Sequence, residues 1–173
     1  MNEILNTGIK NVRNVERYIM EFNSLNSLSK ILEEKRKTRS GEVIYFVDQF
    51  FNGDPHILSQ LTIQKNDVII FTKTKDEPTT EYINELVENL RIEKEENNIS
   101  AIVGVGGGST MDIAKAVSNL LTNGGKAEDY QGWDLVKKPG VFKIALPTLS
   151  GTGAEATRTC VMTNTATGLK LGM

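Results

Sequence analysis

Apolar positions along the chain follow two rhythms that alternate. Leu25, Leu28, Ile31 and Leu32 recur at spacings of three and four after Ser24, which predicts a helix whose charged run Glu33 to Arg39 reads as a solvated end. Just before it, Tyr18-Ile-Met-Glu-Phe22 reads as a short extended piece. From Glu42 to Asp48 the residues Val43, Ile44, Tyr45, Phe46 and Val47 are apolar without a break, the pattern of a strand covered on both faces. A short segment around Pro55 to Leu61 separates it from a second buried strand, Asp67 to Thr72. Pro78 then opens a helix with Ile83, Leu86, Val87 and Leu90 on one stripe and Glu93 to Glu96 solvating its end.

The rhythm repeats once more. Ala101 to Val105 predicts a third buried strand that runs into Gly106-Gly107-Gly108-Ser109. Met111, Ala114, Lys115, Val117, Leu120 and Leu121 trace the next helix, which Asn123-Gly124-Gly125 terminates. Phe142 to Leu146 is a fourth strand stopped by Pro147, and the connection from Lys126 to Gly140, with Trp133, reads as a surface excursion near the site. Arg158 to Asn164 and Leu169 to Met173 flank the turn-like Thr165 to Gly168 and predict a hairpin. Strands alternating with helices in this way imply an α/β fold with a doubly wound, mostly parallel sheet, read as a single domain over 1–173, whose ligands sit at the carboxyl ends of the strands.

Charge narrows the partners. The 20 basic and 22 acidic residues leave a formal charge of -2, so no broad cationic field gathers nucleic acid or anionic lipid. No stretch approaches the roughly 20 apolar residues of a membrane span, and the start lacks the pattern of a signal peptide, so the chain reads as cytoplasmic. A single cysteine, Cys160, excludes an internal disulfide and reads as a small buried apolar residue, and the lone His56 reads as a surface or first-turn residue.

The chemistry concentrates where the third strand meets its helix. Glycines allow a diphosphate to approach the backbone, and the first helical N–H groups then point at it along the favourable end of the helix dipole. Ser109 is expected to cap the helix, with Asp112 as the capping-box acid. The same glycines also suit a tight turn that merely packs helix on strand. Counting from Gly104, the third glycine of the usual dinucleotide fingerprint falls on Ser109, and no Gly-Lys-Ser/Thr follows to make a P-loop. A second small-residue loop, Pro147-Thr148-Leu149-Ser150-Gly151-Thr152-Gly153-Ala154-Glu155, follows the fourth strand and reads either as a second wall of the crevice or as an ordinary surface turn.

Together, Gly106-Gly-Gly-Ser-x-x-Asp112-x-x-Lys115 and Pro147-Thr-x-x-Gly-Thr-Gly-x-Glu155 resemble the two signature loops of the iron-containing alcohol dehydrogenases, relatives of glycerol dehydrogenase and dehydroquinate synthase. The resemblance runs from about residue 15 to the last residue and implies a dehydroquinate synthase-like nucleotide-binding domain. By that resemblance Gly106, Gly107, Gly108 and Ser109 receive the pyrophosphate and nearby ribose, and Asp112 lies close to the nicotinamide side. Thr148 and Thr152 bond the cofactor from the second loop, and Lys170 reaches toward a ribose. Asp48 stands where members that use NAD often carry an acid for the adenosine ribose, and a carboxylate there repels a 2′-phosphate, favouring NAD over NADP. Asp48 also suits a plain strand-end turn, and Lys115 and Lys170 also suit solvated surface lysines.

Two departures stand out. Ala154 replaces a serine common before the motif's glutamate. The family's divalent metal, iron or zinc, is held by an aspartate and three histidines in a later helical domain, and this sequence has only His56, upstream of both motifs. The resemblance thus implies the cofactor half of a metal-dependent oxidoreductase, truncated before its metal domain and inactive by itself. Its substrate class is a small alcohol, polyol or sugar acid, the last suggested by Asp129-Tyr-Gln-Gly-Trp133. Family members commonly self-associate, so a homo-oligomer is a candidate state. A non-catalytic NAD-binding module, a poorly folding fragment and a dehydroquinate-type lyase are the competing readings.

Overall fold

The computed structural model describes residues 15–75, 77–93 and 98–173. Lys94, Glu95 and Glu96, expected to solvate a helix end, lie outside the described residues.

Four strands form one parallel sheet: β1 (Glu42–Asp48), β2 (Val68–Thr72), β3 (Ile99–Gly106) and β4 (Lys143–Pro147), in the order β2-β1-β3-β4. The two central strands are the continuously apolar ones. Side chains alternate across a strand, so neighbouring residues serve opposite layers. Ile44, Phe46 and Ile102 join Ile83, Val87 and Leu90 of α3 (Thr80–Glu93) and Ile113, Val117 and Leu120 of α4 (Gly108–Asn123). Val43, Tyr45, Val47, Val103 and Val105 join Leu28 and Leu32 of α1 (Ser27–Thr38), with Leu58 of α2 (Pro55–Gln60) against their edge. Helices cover both faces, which is why β1 and β3 carry no polar alternation. At Gly104 a Cβ would stand 3.0 Å from that of Ala114, so the missing side chain sets how closely α4 lies on β3.

The last residues form the expected antiparallel hairpin, β5 (Val161–Asn164) with β6 (Leu169–Gly172). Cys160 is buried beside it, as the sequence predicts, and burial pushes its thiol up to about 12. The 126–140 excursion leaves Trp133 exposed but docks on this hairpin, with the Gly132 amide donating to Gly172 O at 2.8 Å.

Three expectations need correction. Tyr18 to Phe22 joins no strand, and Tyr18, Met20 and Phe22 are exposed, because among the described residues no neighbouring strand offers those backbone groups a ladder. The first helix starts at Ser27, after a 3₁₀ turn over Ser24–Asn26 that carries Leu25. Arg36, read as part of a solvated end, instead pairs with Asp67 at 2.6 Å and donates to Gly41 O at 3.0 Å. Asp67 also accepts from the amides of Val43 and Gln64, so a single carboxylate pins α1 to the start of β1 and to the turn before β2.

Among the described residues no helix is long and apolar enough to cross a membrane.

Candidate functional site

The chain leaves β1 for β2 on one side and returns to β3 on the other, so the crevice opens where β1 and β3 end side by side. Asp48 closes β1 and Gly106 closes β3. A Cβ on Gly106 would fall 2.6 Å from Thr110 Oγ1 and 3.0 Å from Asp48 Cβ, so this turn exists only without a side chain.

Asp48 is fixed from three sides. Its carboxylate accepts from the Phe50 amide at 2.9 Å, from Thr74 Oγ1 at 2.9 Å and from Thr110 Oγ1 at 3.4 Å. Thr110 in turn lies 3.2 Å from Thr72 Oγ1, which donates to Val47 O. Both threonines are fully buried, so hydroxyls rather than water satisfy the polar groups beneath the turn.

The first turn of α4 differs from expectation. Gly107 is the N-cap and supplies no side-chain bond, while Ser109 lies inside the helix rather than before it. The capping box therefore does not form. Asp112 is one turn in, and its carboxylate points away from the helix start to accept from the Val161 amide at 3.0 Å and to pair with Lys115 at 2.7 Å. The helix begins with free amide donors at a glycine backbone, which is the geometry of an anion site.

The second loop is stitched to the first by the Thr148 amide, which donates to Gly106 O at 3.0 Å. A Cβ on Gly108 would sit 3.3 Å from Thr152 Cβ, so the two loops touch there. Gly108, Ser109, Asp112, Thr152 and Lys170, five of the residues that the sequence singled out, line one pocket of ≈ 240 Å³ with Glu77, Pro78 and Val161. Lys170 forms an ion pair with Glu77 across its mouth, both side chains about half exposed. Thr148 does not reach this pocket. It lines an open trough of ≈ 1960 Å³ that runs past β4 and meets the pocket at Lys170 and Val161. That trough is larger and takes in Lys115, Pro147, Thr148 and Glu155 of the two motifs, but none of the cradle residues Gly106 to Ser109. Asp48, Gly106 and Gly107 line neither of the two.

Sequence reasoning passed over Thr72, Thr110 and Glu77, and it left Lys115, a residue of the first motif, open to a solvated surface role. Lys115 is buried, not solvated, with its ammonium donating to Ala154 O at 3.0 Å, to Thr157 Oγ1 at 3.3 Å and to Thr159 O. Its spacing of three from Asp112 was the available signal, since residues so placed share a helix face. Glu77 carried no local signal. His56 is exposed on the first turn of α2, as the sequence predicts. Among the described residues no group of three or more His, Cys, Asp or Glu stands where it could hold a metal ion.

Comparison with known proteins gives this geometry a context. The profile of the iron-containing alcohol dehydrogenases matches residues 16–173. The chain is 41% identical over 105 residues to the NAD-dependent methanol dehydrogenase of Bacillus methanolicus, a stretch that is 61% of this chain and 26% of that enzyme. It is 38% identical over 116 residues to the choline dehydrogenase of Bacillus subtilis, covering 65% of this chain and 27% of that one. Among solved structures, the alcohol dehydrogenase from Oenococcus oeni superposes with a TM-score of 0.69 at 27% identity, over 85% of this chain and 39% of that one. The sulfoacetaldehyde reductase from Bifidobacterium kashiwanohense, solved in complex with NAD+, gives 0.68 at 24% identity and the same coverage, a likeness of fold. The matched stretch thus spans about a quarter of the length of these curated relatives and about two fifths of the solved chains. With nearly all its residues matched by one profile, the chain belongs to the iron-containing alcohol dehydrogenase family.

Proposed function

We propose that this chain forms the NAD-binding half of an oxidoreductase that moves a hydride between a small alcohol and nicotinamide. The observation that carries the reading is the convergence of Gly108, Ser109, Asp112, Thr152 and Lys170 on one pocket at the start of α4. Its supports outside the geometry are the family and the NAD dependence named for the methanol dehydrogenase relative.

The residues present fit such a cofactor. At Gly106 a side chain would collide with Thr110, and at Gly107 the nearest atom to a Cβ is 3.4 Å away, so the backbone there is bare toward the crevice. An uncapped helix start offers amide donors and a partial positive charge to a diphosphate. Ser109 and Thr152 add hydroxyl donors, and the Lys170 ammonium adds a charge at the same pocket, which at ≈ 240 Å³ seats one portion of a dinucleotide. Asp48, held by two threonines and an amide, accepts from ribose hydroxyls and disfavours a 2′-phosphate by like charge, so NAD is preferred to NADP. When bound, the nicotinamide ring supplies the hydride acceptor; these residues bind it, orient it and hold its phosphates.

The metal in the family's name is a different matter. The described residues do not offer it a ligand set, and no step here runs through one. The substrate class is a small alcohol and its carbonyl counterpart, sugar acids included, and the enzyme acts as a soluble cytoplasmic protein.

Calorimetric titration with NAD, run beside Gly107→Asp, tests the reading. Aspartate is a favoured N-cap residue, so the variant keeps the helix start while placing a carboxylate in the cradle. The expected result is saturable binding by the parent chain and a loss of at least about 100-fold in the variant at an unchanged melting temperature, a difference of roughly 2.7 kcal/mol. Equal binding by both chains sinks the cradle assignment.

A further inference from the structure

We infer that Lys115 is a positioning residue that closes the second loop onto the phosphate cradle, a role that rests on the cofactor reading above. Lys115 touches neither Ser109 nor the pocket, yet it is 7% exposed, on the third turn of the cradle helix. Its single ammonium gathers groups from one short segment: Ala154 O, Thr157 Oγ1 and Thr159 O. The three N–H donors go to these three acceptors, and the Asp112 carboxylate stands 2.7 Å away as the ion-pair partner.

The consequence passes back to the pocket through two contacts. The Ala154 amide, on the residue whose carbonyl Lys115 holds, donates to Thr152 Oγ1 at 3.3 Å. Thr152 in turn stands over Gly108, where a Cβ would be 3.3 Å from its own. Asp112 completes the arrangement from the other direction. One oxygen faces Lys115 and the other accepts from the Val161 amide at 3.0 Å, so the hairpin that carries Lys170 hangs from the same ion pair. One oxygen of Asp112 is thus hydrogen-bonded within the protein, and the other is ion-paired with Lys115 without a hydrogen-bond partner. Its service to the cofactor is to hold the wall that carries Thr152 and Lys170, rather than to supply a free carboxylate.

Among the described residues the hydrogen bond at the other end of residues 148–153 is that of the Thr148 amide to Gly106 O, at the end of β3, and Leu149 and Thr152 otherwise meet Gly107 and Gly108 through side-chain packing alone. Removing the ammonium frees the loop without touching the cradle glycines.

The test pairs hydrogen exchange with NAD titration on the 173-residue chain, for the parent, Lys115→Met and Thr157→Val. Methionine keeps the length and apolar stem of lysine; Thr157→Val removes one acceptor from an exposed residue and guards against a Lys115 variant that does not fold. The proposal expects amides of residues 152–161 to lose more protection in Lys115→Met than those of β1 and β3. NAD affinity is expected to fall at least about tenfold in that variant and about threefold in Thr157→Val, with exchange at 152–161 rising in the same order. Parent-like NAD affinity in both variants overturns the positioning role and leaves the cofactor reading standing. A folded parent that binds no NAD overturns the cofactor reading, and the positioning role with it. Protection lost evenly across the sheet as well as the loop overturns the proposal in favour of a general contribution to stability.

Discussion

Both loops at the carboxyl end of the sheet are rich in glycine, and they need it for different reasons. In the first, a side chain at Gly106 or Gly108 would meet Thr110 or Thr152 at 2.6 to 3.3 Å, and Gly106 has in addition a φ of 158°. In the second, Gly151 and Gly153 have open space around them but backbone φ of 107° and 67°, a region that other residues enter at a cost. The first loop is a packed wall whose shape is set by neighbours. The second is an exposed turn whose shape is set by its own torsions and by whatever fastens its ends. A bare motif comparison scores both as glycine-rich. Only the first is preorganised by the core, so the first suits the invariant part of a ligand, the phosphates, and the second suits a wall that closes once its pin is in place.

That contrast is broken most directly through the pin. Replacing Lys115 by methionine leaves Asp112 partly buried without its cation, and breaking a pair of this kind costs about 3–5 kcal/mol. Chemical denaturation is expected to show that loss in full, whereas a change below about 1 kcal/mol would mean that the second loop holds its shape unaided.

The glycines sharpen the comparison at the next level. Gly106→Ala overpacks a buried turn and is expected to cost about 1–3 kcal/mol. Gly153→Ala meets no atom and is expected to cost only the left-handed penalty of about 1–2 kcal/mol. The difference between them lies in what a smaller neighbour does: Thr110→Ala, which removes the hydroxyl that would lie 2.6 Å from the new Cβ, relieves part of the first and leaves the second unchanged. Thermal melts of the two double variants read this out, and equal rescue of both would erase the distinction.

The smallest effect concerns the residue just beyond the second loop. Cys160 is buried, which pushes its thiol up to about 12, with Lys115 pulling the other way. The folded chain thus holds that proton more tightly than the unfolded chain does. Its contribution is complete below the ordinary thiol range and is lost as pH rises from about 9 toward 12. Stability measured against pH should fall less steeply over that window in Cys160→Ala than in the parent; identical slopes would show the thiol to be reachable by water in the native state.

Much of this was legible in the chain. The unbroken apolar runs of β1 and β3 gave away a sheet covered on both faces, because central parallel strands have no solvent side to record. The motif glycines marked the crevice, and the hairpin followed from its turn. What stayed hidden depends on partners far apart in sequence. Arg36 looks like any helix-end cation until Asp67 is placed beside it, 31 residues on. The Ser109 cap failed because α4 starts at Gly108, with Gly107 in the N-cap position, so the serine lies inside the helix. Lys115 carries a local signal only in its motif place and its spacing of three from Asp112; its burial is created by residues 154–159, 39 to 44 positions later. Local pattern records faces and turns, and it does not record which distant carbonyl will need a charge.

The central claim is that NAD binds where the two loops meet. Amide chemical shifts of the ¹⁵N-labelled chain, followed during titration with NAD, test this residue by residue. The account predicts the largest changes at Gly107, Gly108, Ser109, Thr152 and Lys170, with a second group around Asp48. Changes confined to the trough beside Trp133 and Phe142, with the cradle amides unmoved at saturation, would contradict it.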